Sequence, residues 1–236
     1  MASLKEVKGR IASVNNTRKI TSAMKMVASA KLHKAQAAIE NMLPYERRLN
    51  HILTNFLSAG SEVESPFIVK REVKRVAIVV FASNTSLCGG FNANIIRHLT
   101  VILDEYKSLG MENVLLYPVG RKVAEGVKKL GFKAEGDFQH MADKPSYQEA
   151  AALAEDLMRR FLHRDIDKVE LLYNHFRSTA VQVLTRETYL PIDLTQEKKE
   201  KDKGRIPDYI VEPSVDVVMR ELLPKVLRMK MFTVLL

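Results

Sequence analysis

The N-terminal segment carries the hydrophobic pattern of a long helix with a partner on one face. Neither Gly nor Pro occurs between Gly9 and Pro44, and the residues there are mostly strong helix formers. Apolar residues recur at coiled-coil spacing in two stretches: Leu4, Val7, Ile11 and Val14, then Ala28, Leu32, Ala35, Ile39 and Met42. Arg18 and Lys25 interrupt the frame between them. The pattern predicts a coiled-coil helix in the N-terminal region 1–58.

The interrupted part of this helix has apolar residues on all sides. They run from Ile20 to Ala30 and are interleaved with Lys19, Lys25 and Lys31. A helix that is apolar all round is buried on all sides. A helix in the middle of a bundle and a helix inside a collar of other subunits both fit this pattern, and the interleaved lysines are compatible with the collar.

The middle of the chain alternates between strand and helix patterns. Short apolar runs predict strands at 75–81, 113–119, 168–175 and 180–190 and a weak strand at 132–138, while longer amphipathic runs predict helices at about 95–109, 121–130 and 146–162. The first strand is apolar on both faces, as in a parallel sheet that helices cover on both sides. The alternation predicts a doubly wound α/β domain over residues 73–194.

The last part of the chain is predicted to contain a loop and a helix. Residues 195–209 are almost wholly polar and charged, which predicts a mobile loop. Residues 210–236 predict the start of a C-terminal helix, with Ser214 as its N-cap. This helix stops in apolar sequence without a cap, so we expect it to be truncated. The predicted fold class is α/β, with a Rossmann-like, mostly parallel sheet domain flanked by long N- and C-terminal helices.

Composition and charge narrow the possible functions. The chain has 236 residues, a net charge of +9 and one cysteine, which excludes an intrachain disulfide and disfavours a cysteine-built zinc site. Residues 1–40 hold eight Lys and Arg residues against two Glu, so most of the net charge lies on the predicted helix. Nucleic acid, anionic lipid and an acidic protein surface all remain possible partners. The N-terminus lacks the apolar run of a signal peptide.

One loop deserves consideration as a chemical site. Residues 87–92 read Leu-Cys-Gly-Gly-Phe-Asn and lie between a predicted strand and a predicted helix, where α/β folds bind phosphate. The loop matches neither common phosphate-binding fingerprint, so a structural turn built on Cys88, Gly89 and Gly90 is favoured over a nucleotide site. No histidine shares a motif with Cys88, which favours a packed thiol over a nucleophile. We therefore predict no catalytic, metal or cofactor site.

Four segments together resemble the gamma subunits of F-type ATP synthases, in the order that this family has them. Residues 19–31, Lys-Ile-Thr-Ser-Ala-Met-Lys-Met-Val-Ala-Ser-Ala-Lys, resemble the family's N-terminal signature, which is highly specific. The other three segments are 86–92, 173–179, and 208–214 followed by Leu-Leu-Pro-Lys at 222–225. The resemblance spans essentially the whole chain, although family members continue further at the C-terminal helix.

The resemblance implies a bacterial central-stalk rotor that is not itself catalytic. It implies that the terminal helices form an antiparallel coiled coil inside a hexamer of alpha and beta subunits. The α/β domain would contact the epsilon subunit and the c-ring. The rotor would couple proton flow to ATP synthesis and would lie peripherally at the cytoplasmic face of the inner membrane. The resemblance implies neither a cofactor nor nucleic acid as a partner.

The same resemblance suggests which residues touch the hexamer. The expected rotor and bearing residues are Lys19, Ile20, Ala23, Met24, Lys25, Met26, Val27 and Lys31. Met24 and Lys25 match family positions near an acidic loop of the beta subunits. Two other hypotheses compete with the rotor, namely a nucleic-acid-binding protein that uses the basic helix and a small α/β enzyme that uses Cys88.

Overall fold

The computed structural model describes residues 3–58, 65–192, 212 and 214–236. The helices are α1 (Leu4–Ser58), α2 (Phe91–Glu105), α3 (Arg121–Lys129), α4 (Tyr147–Leu162) and α5 (Val215–Leu235), and the strands are β1 (Val76–Phe81), β2 (Val114–Val119), β3 (Lys168–Phe176) and β4 (Gln182–Leu190). Short 3-10 turns occur at Lys107–Leu109, Met111–Asn113 and Gln139–Ala142. The predicted mobile loop at 195–209 lies outside the described residues.

The chain divides into two compact units, and the division falls within α1. One unit is the part of α1 up to Pro44, and the other extends from Tyr45 to Leu235. The second unit therefore contains the last turns of α1 together with the sheet and the remaining helices. No helix in the described part of the chain is both long and apolar enough to span a lipid bilayer. The predicted coiled coil between the terminal helices stays a prediction.

The sheet has the strand order β2-β1-β3-β4. Strand β1 pairs in parallel with β2 on one side and with β3 on the other, whereas β4 is antiparallel to β3. The link from β3 to β4 is a tight turn, in which the N–H of Arg177 donates to the carbonyl of Val181 over 3.2 Å. Such a short link permits only an antiparallel neighbour. The predicted α/β class is confirmed, as a mixed four-stranded sheet with long terminal helices.

Both faces of β1 are covered, which explains why all six of its residues are buried. On one face, Ile78 and Val80 join a core with residues of α2 and α3 such as Leu99 and Val123. Helices α4 and α5 also pack together, with the rings of Tyr147 and Phe232 edge to face at 5.7 Å. The hydroxyl of Tyr189 in β4 donates to the carbonyl of Leu227 in α5 over 2.8 Å, which ties α5 to the sheet.

Some predicted element boundaries need correction. The weak strand at 132–138 is wrong, because only Ala134 forms an isolated bridge, with Leu116. Gly131 and Gly136 lie on either side of Ala134 with φ of +82° and +87°, and these positive φ angles interrupt the extended backbone. Helix α1 runs through both Gly9 and Pro44, within the region 1–58 in which the N-terminal helix is predicted.

The continuation of α1 past Pro44 has a physical reason. Proline removes one backbone donor and is unfavourable inside a helix. Beyond it, however, Leu49 and Leu53 are buried at helical spacing, with 7% and 0% of their surface exposed. Tertiary packing of this kind outweighs local propensity. At the other end of the chain, the predicted cap of α5 is confirmed, because the Ser214 hydroxyl accepts from the N–H of Val217 over 3.4 Å.

Candidate functional site

The expected interface residues all lie on the exposed N-terminal part of α1. Every side chain from residue 3 to residue 34 is exposed. The eight residues share this exposure: Lys19, Ile20, Ala23, Met24, Lys25, Met26, Val27 and Lys31. Ile20 and Met26 are 63% and 74% exposed, which is unusual for large apolar side chains. Exposed apolar side chains that lie together in this way are typical of binding surfaces.

The apolar side chains do not form a single stripe. Ile20, Met24 and Val27 follow the spacing of four and three that places them on one face of the helix. Met26 projects about 100° away from Val27, because each residue advances the helix by that angle. A partner that covers both directions must wrap around more than one side of α1.

Two threonine hydroxyls on this part of α1 are satisfied within the helix. The hydroxyls of Thr17 and Thr21 donate to the carbonyls of Ser13 and Thr17 over 3.0 and 2.8 Å. They are thereby engaged with the backbone of α1 itself. The lysines differ, since Lys19, Lys25 and Lys31 have no ion pair with any carboxylate in the described part of the chain. The surface thus offers soft apolar contacts and unpaired positive charge, without a fixed array of hydrogen bonds.

The loop at 82–91 lies at the carboxyl end of β1, where the sheet is extended on both sides. This is the topological switch point at which open α/β sheets bind ligands. Gly89 has a φ of +57°, and the N–H of Phe91 donates to the carbonyl of Cys88 over 3.2 Å. Cys88, Gly89 and Gly90 therefore form the turn that leads into α2.

Asn92 organises this loop from inside. Its side chain is 8% exposed, and its Oδ1 accepts from the N–H of Ser83 over 3.0 Å. Its Nδ2 donates to the carbonyl of Thr85 over 2.8 Å and lies 3.1 Å from the Sγ of Cys88. A buried amide is satisfied in this way only if the loop keeps its conformation. The interior of the turn is thus occupied by the side chain of Asn92.

The neighbouring polar groups at the switch point are paired with each other. The N–H of Arg121, at the start of α3, donates to Oδ1 of Asn84 over 2.6 Å, and the guanidinium donates to the Asn84 carbonyl. Nδ2 of Asn84 donates to the carbonyl of Gln139 over 2.9 Å. A phosphate-binding loop needs free backbone N–H groups. The backbone N–H of Arg121 is not free, because it donates to the side chain of Asn84.

The surroundings of Cys88 do not activate its thiol. Its contacts are with Asn92, with the hydroxyl of Ser83 at 3.8 Å and with the carbonyl of Thr85 at 3.6 Å. None of these groups is a base or a cation, which a nucleophilic thiolate requires. Within the described residues, no three His, Cys, Asp or Glu side chains are grouped so that they could hold a metal ion.

We expect the side chain of Asn92 to protect Cys88. Asn92→Ala removes the side-chain contacts with Ser83, Thr85 and Cys88 and leaves the N–H of Ser83 without its acceptor, which should cost about 1–3 kcal/mol of unfolding free energy. Cys88 is the sole cysteine, so its rate of reaction with a thiol reagent measures how accessible the loop is. This rate should rise in Asn92→Ala. Asn94→Ala, at an exposed position of the same helix, is the matched control and should leave the rate unchanged. Equal rates for both variants would contradict the role given to Asn92.

Sequence reasoning missed a buried ion cluster between the end of α2 and strands β3 and β4. Glu170 in β3 is 2% exposed, and its carboxylate accepts from Lys168 at 2.6 Å, Arg186 at 2.9 Å and the hydroxyl of Tyr106 at 2.8 Å. Arg186 also pairs with Glu105 at 2.6 Å. The signal in the sequence was a carboxylate, Glu170, that interrupts the apolar run 169–173. The cluster joins the end of α2 to β3 and β4, and it has a structural role.

These observations define an α/β domain joined to a long helix whose N-terminal part presents an exposed apolar and basic surface. A family model described as ATP synthase matches residues 3–236. An ATP synthase gamma chain of Phocaeicola vulgatus is 99% identical over 236 residues, which cover all of this chain and 82% of the relative. One from Bacteroides fragilis is 62% identical over 234 residues, covering 99% of this chain and 81% of that relative. The chain therefore belongs to the ATP synthase gamma chain family.

A solved structure supports the fold independently. The central stalk and c-ring structure of the mitochondrial ATP synthase from Tetrahymena thermophila contains a chain that matches with a TM-score of 0.61 and 21% identity. The match covers 92% of this chain and 91% of that chain. As a gamma chain, this protein is a rotor subunit of the ATP synthase central stalk and has no catalytic role of its own. ATP synthesis and ion transport are properties of the complex to which it belongs.

Proposed function

We propose that residues 19–31 of α1 form the bearing surface on which the rotor turns inside a ring of alpha and beta subunits. The observation that carries this proposal is the exposure of Ile20, Met24, Met26 and Val27, each more than half exposed, together with three lysines that form no ion pair among the described residues. Apolar side chains that project in more than one direction suit an enclosing collar. Positive charge suits the acidic loop of the beta subunits that the resemblance suggests.

The chemistry of this surface suits rotation. A bearing must hold the shaft without favouring one angle, because a strong contact at one angle becomes a barrier to the next step. Methionine side chains are flexible and polarisable and adapt to different neighbours. The hydroxyls of Thr17 and Thr21 are hydrogen-bonded within the helix, so they do not need hydrogen-bond partners in the ring. Unpaired lysines attract an acidic surface at long range without bidentate geometry.

We further propose that the α/β domain contacts the epsilon subunit and the c-ring, and that the chain works at the cytoplasmic face of the bacterial inner membrane. Family membership places the chain in an ATP synthase, and the relatives cited are bacterial. Protons as the coupling ion belong to the same proposal. Reconstitution with membrane sectors of known ion specificity would test the coupling ion directly.

Met24→Lys tests the bearing proposal. An ammonium at this position would pair with a carboxylate of the ring at one rotational angle, and a contact worth about 1.4 kcal/mol slows that step about tenfold. We expect the ratio of ATP-driven proton pumping to ATP hydrolysis to fall in the reconstituted complex. Assembly, followed by co-elution with alpha and beta subunits on gel filtration, should be unaffected.

Met111→Lys is the matched control for this experiment. Met111 lies in the α/β unit and is 53% exposed, against 51% for Met24. The same change in charge and shape is therefore made at an equally exposed methionine away from the bearing surface. A pumping ratio that stays at the wild-type level in Met24→Lys, or falls equally in both variants, would refute the proposal.

A further inference from the structure

The segment that leads from α1 into β1 is fastened to the α/β unit by the side chain of Arg71. Its guanidinium reaches the end of α4 and the turn that follows, where Nη2 donates to the carbonyl of Phe161 over 2.6 Å and to that of Ile166 over 3.4 Å. The guanidinium also lies over the ring of Phe161, with 4.1 Å between Cζ and the ring centroid. One side chain therefore joins the incoming chain to residues 90 and 95 positions further along.

Asp167 completes this cluster from the start of β3. Its Oδ1 lies 3.5 Å from Nε of Arg71, and its Oδ2 accepts from the backbone N–H groups of Lys74 and Arg75 over 3.0 Å each. The N–H of Asp167 in turn donates to the carbonyl of Arg75 over 2.8 Å. These contacts come directly before the first residue pair that joins β1 to β3. They therefore close the end of the sheet at which the chain enters β1.

The cluster is largely shielded from water. The side chains of Arg71 and Asp167 are 22% and 13% exposed, and Phe161 and Ile166 are buried. Hydrogen bonds to charged groups are stronger than neutral ones, and burial leaves them less screened than the ion pairs of an open surface. A guanidinium is planar, so it can stack on a ring and donate hydrogen bonds at the same time, which an ammonium cannot do.

The position of the cluster along the chain gives it a mechanical meaning. The covalent path from α1 to the sheet runs through residues 59–75. The last described turns of α1 contribute Leu49 and Leu53, which are buried apolar side chains, and apolar burial is not directional. Hydrogen bonds weaken steeply when distance or angle changes, so they resist a displacement that apolar contacts tolerate. Tension that travels along the chain from α1 reaches Arg71 before it reaches β1.

We propose that Arg71 and Asp167 form the mechanical anchor of this rotor, which holds the connection from α1 in place under load and keeps β1 in the sheet. Arg71 is thus a positioning residue for the transmission of torque between α1 and the α/β unit. The inference uses the rotor role of the gamma chain family. It is independent of the bearing surface proposed for residues 19–31.

Pulling on single molecules of the full chain tests the anchor directly. Handles are attached to the exposed positions Glu40→Cys in α1 and Ala152→Cys in α4, with Cys88→Ser so that only these two sites react. Each released residue lengthens the tether by about 3.5 Å, so the length identifies how far the chain has been pulled out. We expect a pause when the chain is released up to residue 71 while the rest of the α/β unit is still folded.

Arg71→Met should shorten this pause. A hydrogen bond to a charged group is strong enough to change the rate of a step about tenfold, so the lifetime of the pause at constant force should fall by about that factor or more. Arg71→Lys keeps the charge without the planar fork and should give an intermediate lifetime, and it also tests the anchor if Arg71→Met does not fold. Absence of a pause at this length, or equal lifetimes for Arg71 and both variants, would overturn the proposal.

Lys74→Met is the matched control within the same segment. The side chain of Lys74 is 77% exposed and pairs with the exposed Glu72 at 3.9 Å, so the same loss of charge should leave the pause unchanged. Glu170→Ala separates the anchor from general stability, because it weakens the same unit at a site outside the pulled connection. It should lower the force at which the whole unit unfolds without shortening the pause. If it shortens the pause as much as Arg71→Met does, the Arg71 cluster has only an ordinary structural role and the proposal is wrong.

Discussion

Glu170→Ala should lower the free energy of unfolding by about 3 kcal/mol, near the lower end of the cost of breaking a buried ion pair. The change removes the acceptor shared by Lys168, Arg186 and Tyr106. Arg186 keeps Glu105 as a partner, and both cations are about one quarter exposed, which limits the loss. Urea unfolding followed by circular dichroism measures the effect.

The pH dependence of this cluster gives an independent check. Burial raises the pKa of Glu170, but hydrogen bonds from Arg186, Lys168 and Tyr106 outweigh it, so the net direction is downward. Stability from this group is therefore present above 4.5 and is lost as pH falls through the folded-state pKa. Glu72→Ala is the control, since that side chain is 84% exposed and should cost less than about 0.5 kcal/mol. A similar cost for both variants would show that the buried cluster is not stabilising.

Gly120→Ala should destabilise the α/β unit by about 2–5 kcal/mol. Gly120 ends β2 with φ of +107° and ψ of +145°, a conformation that is essentially limited to glycine. A Cβ atom there would lie 2.1 Å from the carbonyl oxygen of Ala82, which is backbone and cannot move independently. The N–H of Ala82 is itself bonded to the carbonyl of Val119 over 2.9 Å. The energetic cost of the backbone strain and that of the steric overlap with Ala82 therefore add in Gly120→Ala.

Two other glycines separate these causes. Gly89 has a φ of +57°, but no atom lies within 4 Å of an added Cβ, so Gly89→Ala should cost about 1–2 kcal/mol from backbone strain alone. Gly9 lies in α1 with equally open space and ordinary helical backbone. Gly9→Ala should therefore favour the helix by about 0.5–1 kcal/mol. If Gly120→Ala unfolds at the same urea concentration as Gly89→Ala, the close approach to Ala82 has been overestimated.

Strand and helix order could be predicted because both signals are local. The strand predicted at 113–119 is observed as Val114–Val119, and the helix predicted at 146–162 as Tyr147–Leu162. In each case side-chain periodicity agrees with the burial that tertiary structure imposes. The strand predicted at 132–138 does not form. The segment contains apolar residues, but Gly131 and Gly136 have positive φ and interrupt the extended backbone. Helix α1 continues through Pro44, which local propensity alone disfavours, and Leu49 and Leu53 are buried beyond it.

The candidate site was predictable only in part. Motif resemblance directed attention to residues 19–31, and the structure places all eight expected residues on one exposed segment; their role as a bearing stays a proposal. The position of the Asn92 side chain inside the 82–91 loop could not be predicted, because it depends on the turn that brings the start of α2 next to Ser83. The cluster at Glu170 joins residues from the end of α2 and from β3 and β4. Its charges resemble ordinary surface charges until the register of β3 and β4 is known.

The exposure of residues 3–34 also determines how this chain melts. A helix with all side chains in water is held by its own backbone bonds, and its helical content declines gradually with temperature. The α/β unit has a shared core and unfolds as a cooperative whole. Far-ultraviolet circular dichroism of the chain therefore superimposes a sloping helix–coil transition on a sigmoidal one. A single midpoint temperature therefore describes the α/β unit alone, and the helical content of residues 3–34 has to be followed separately.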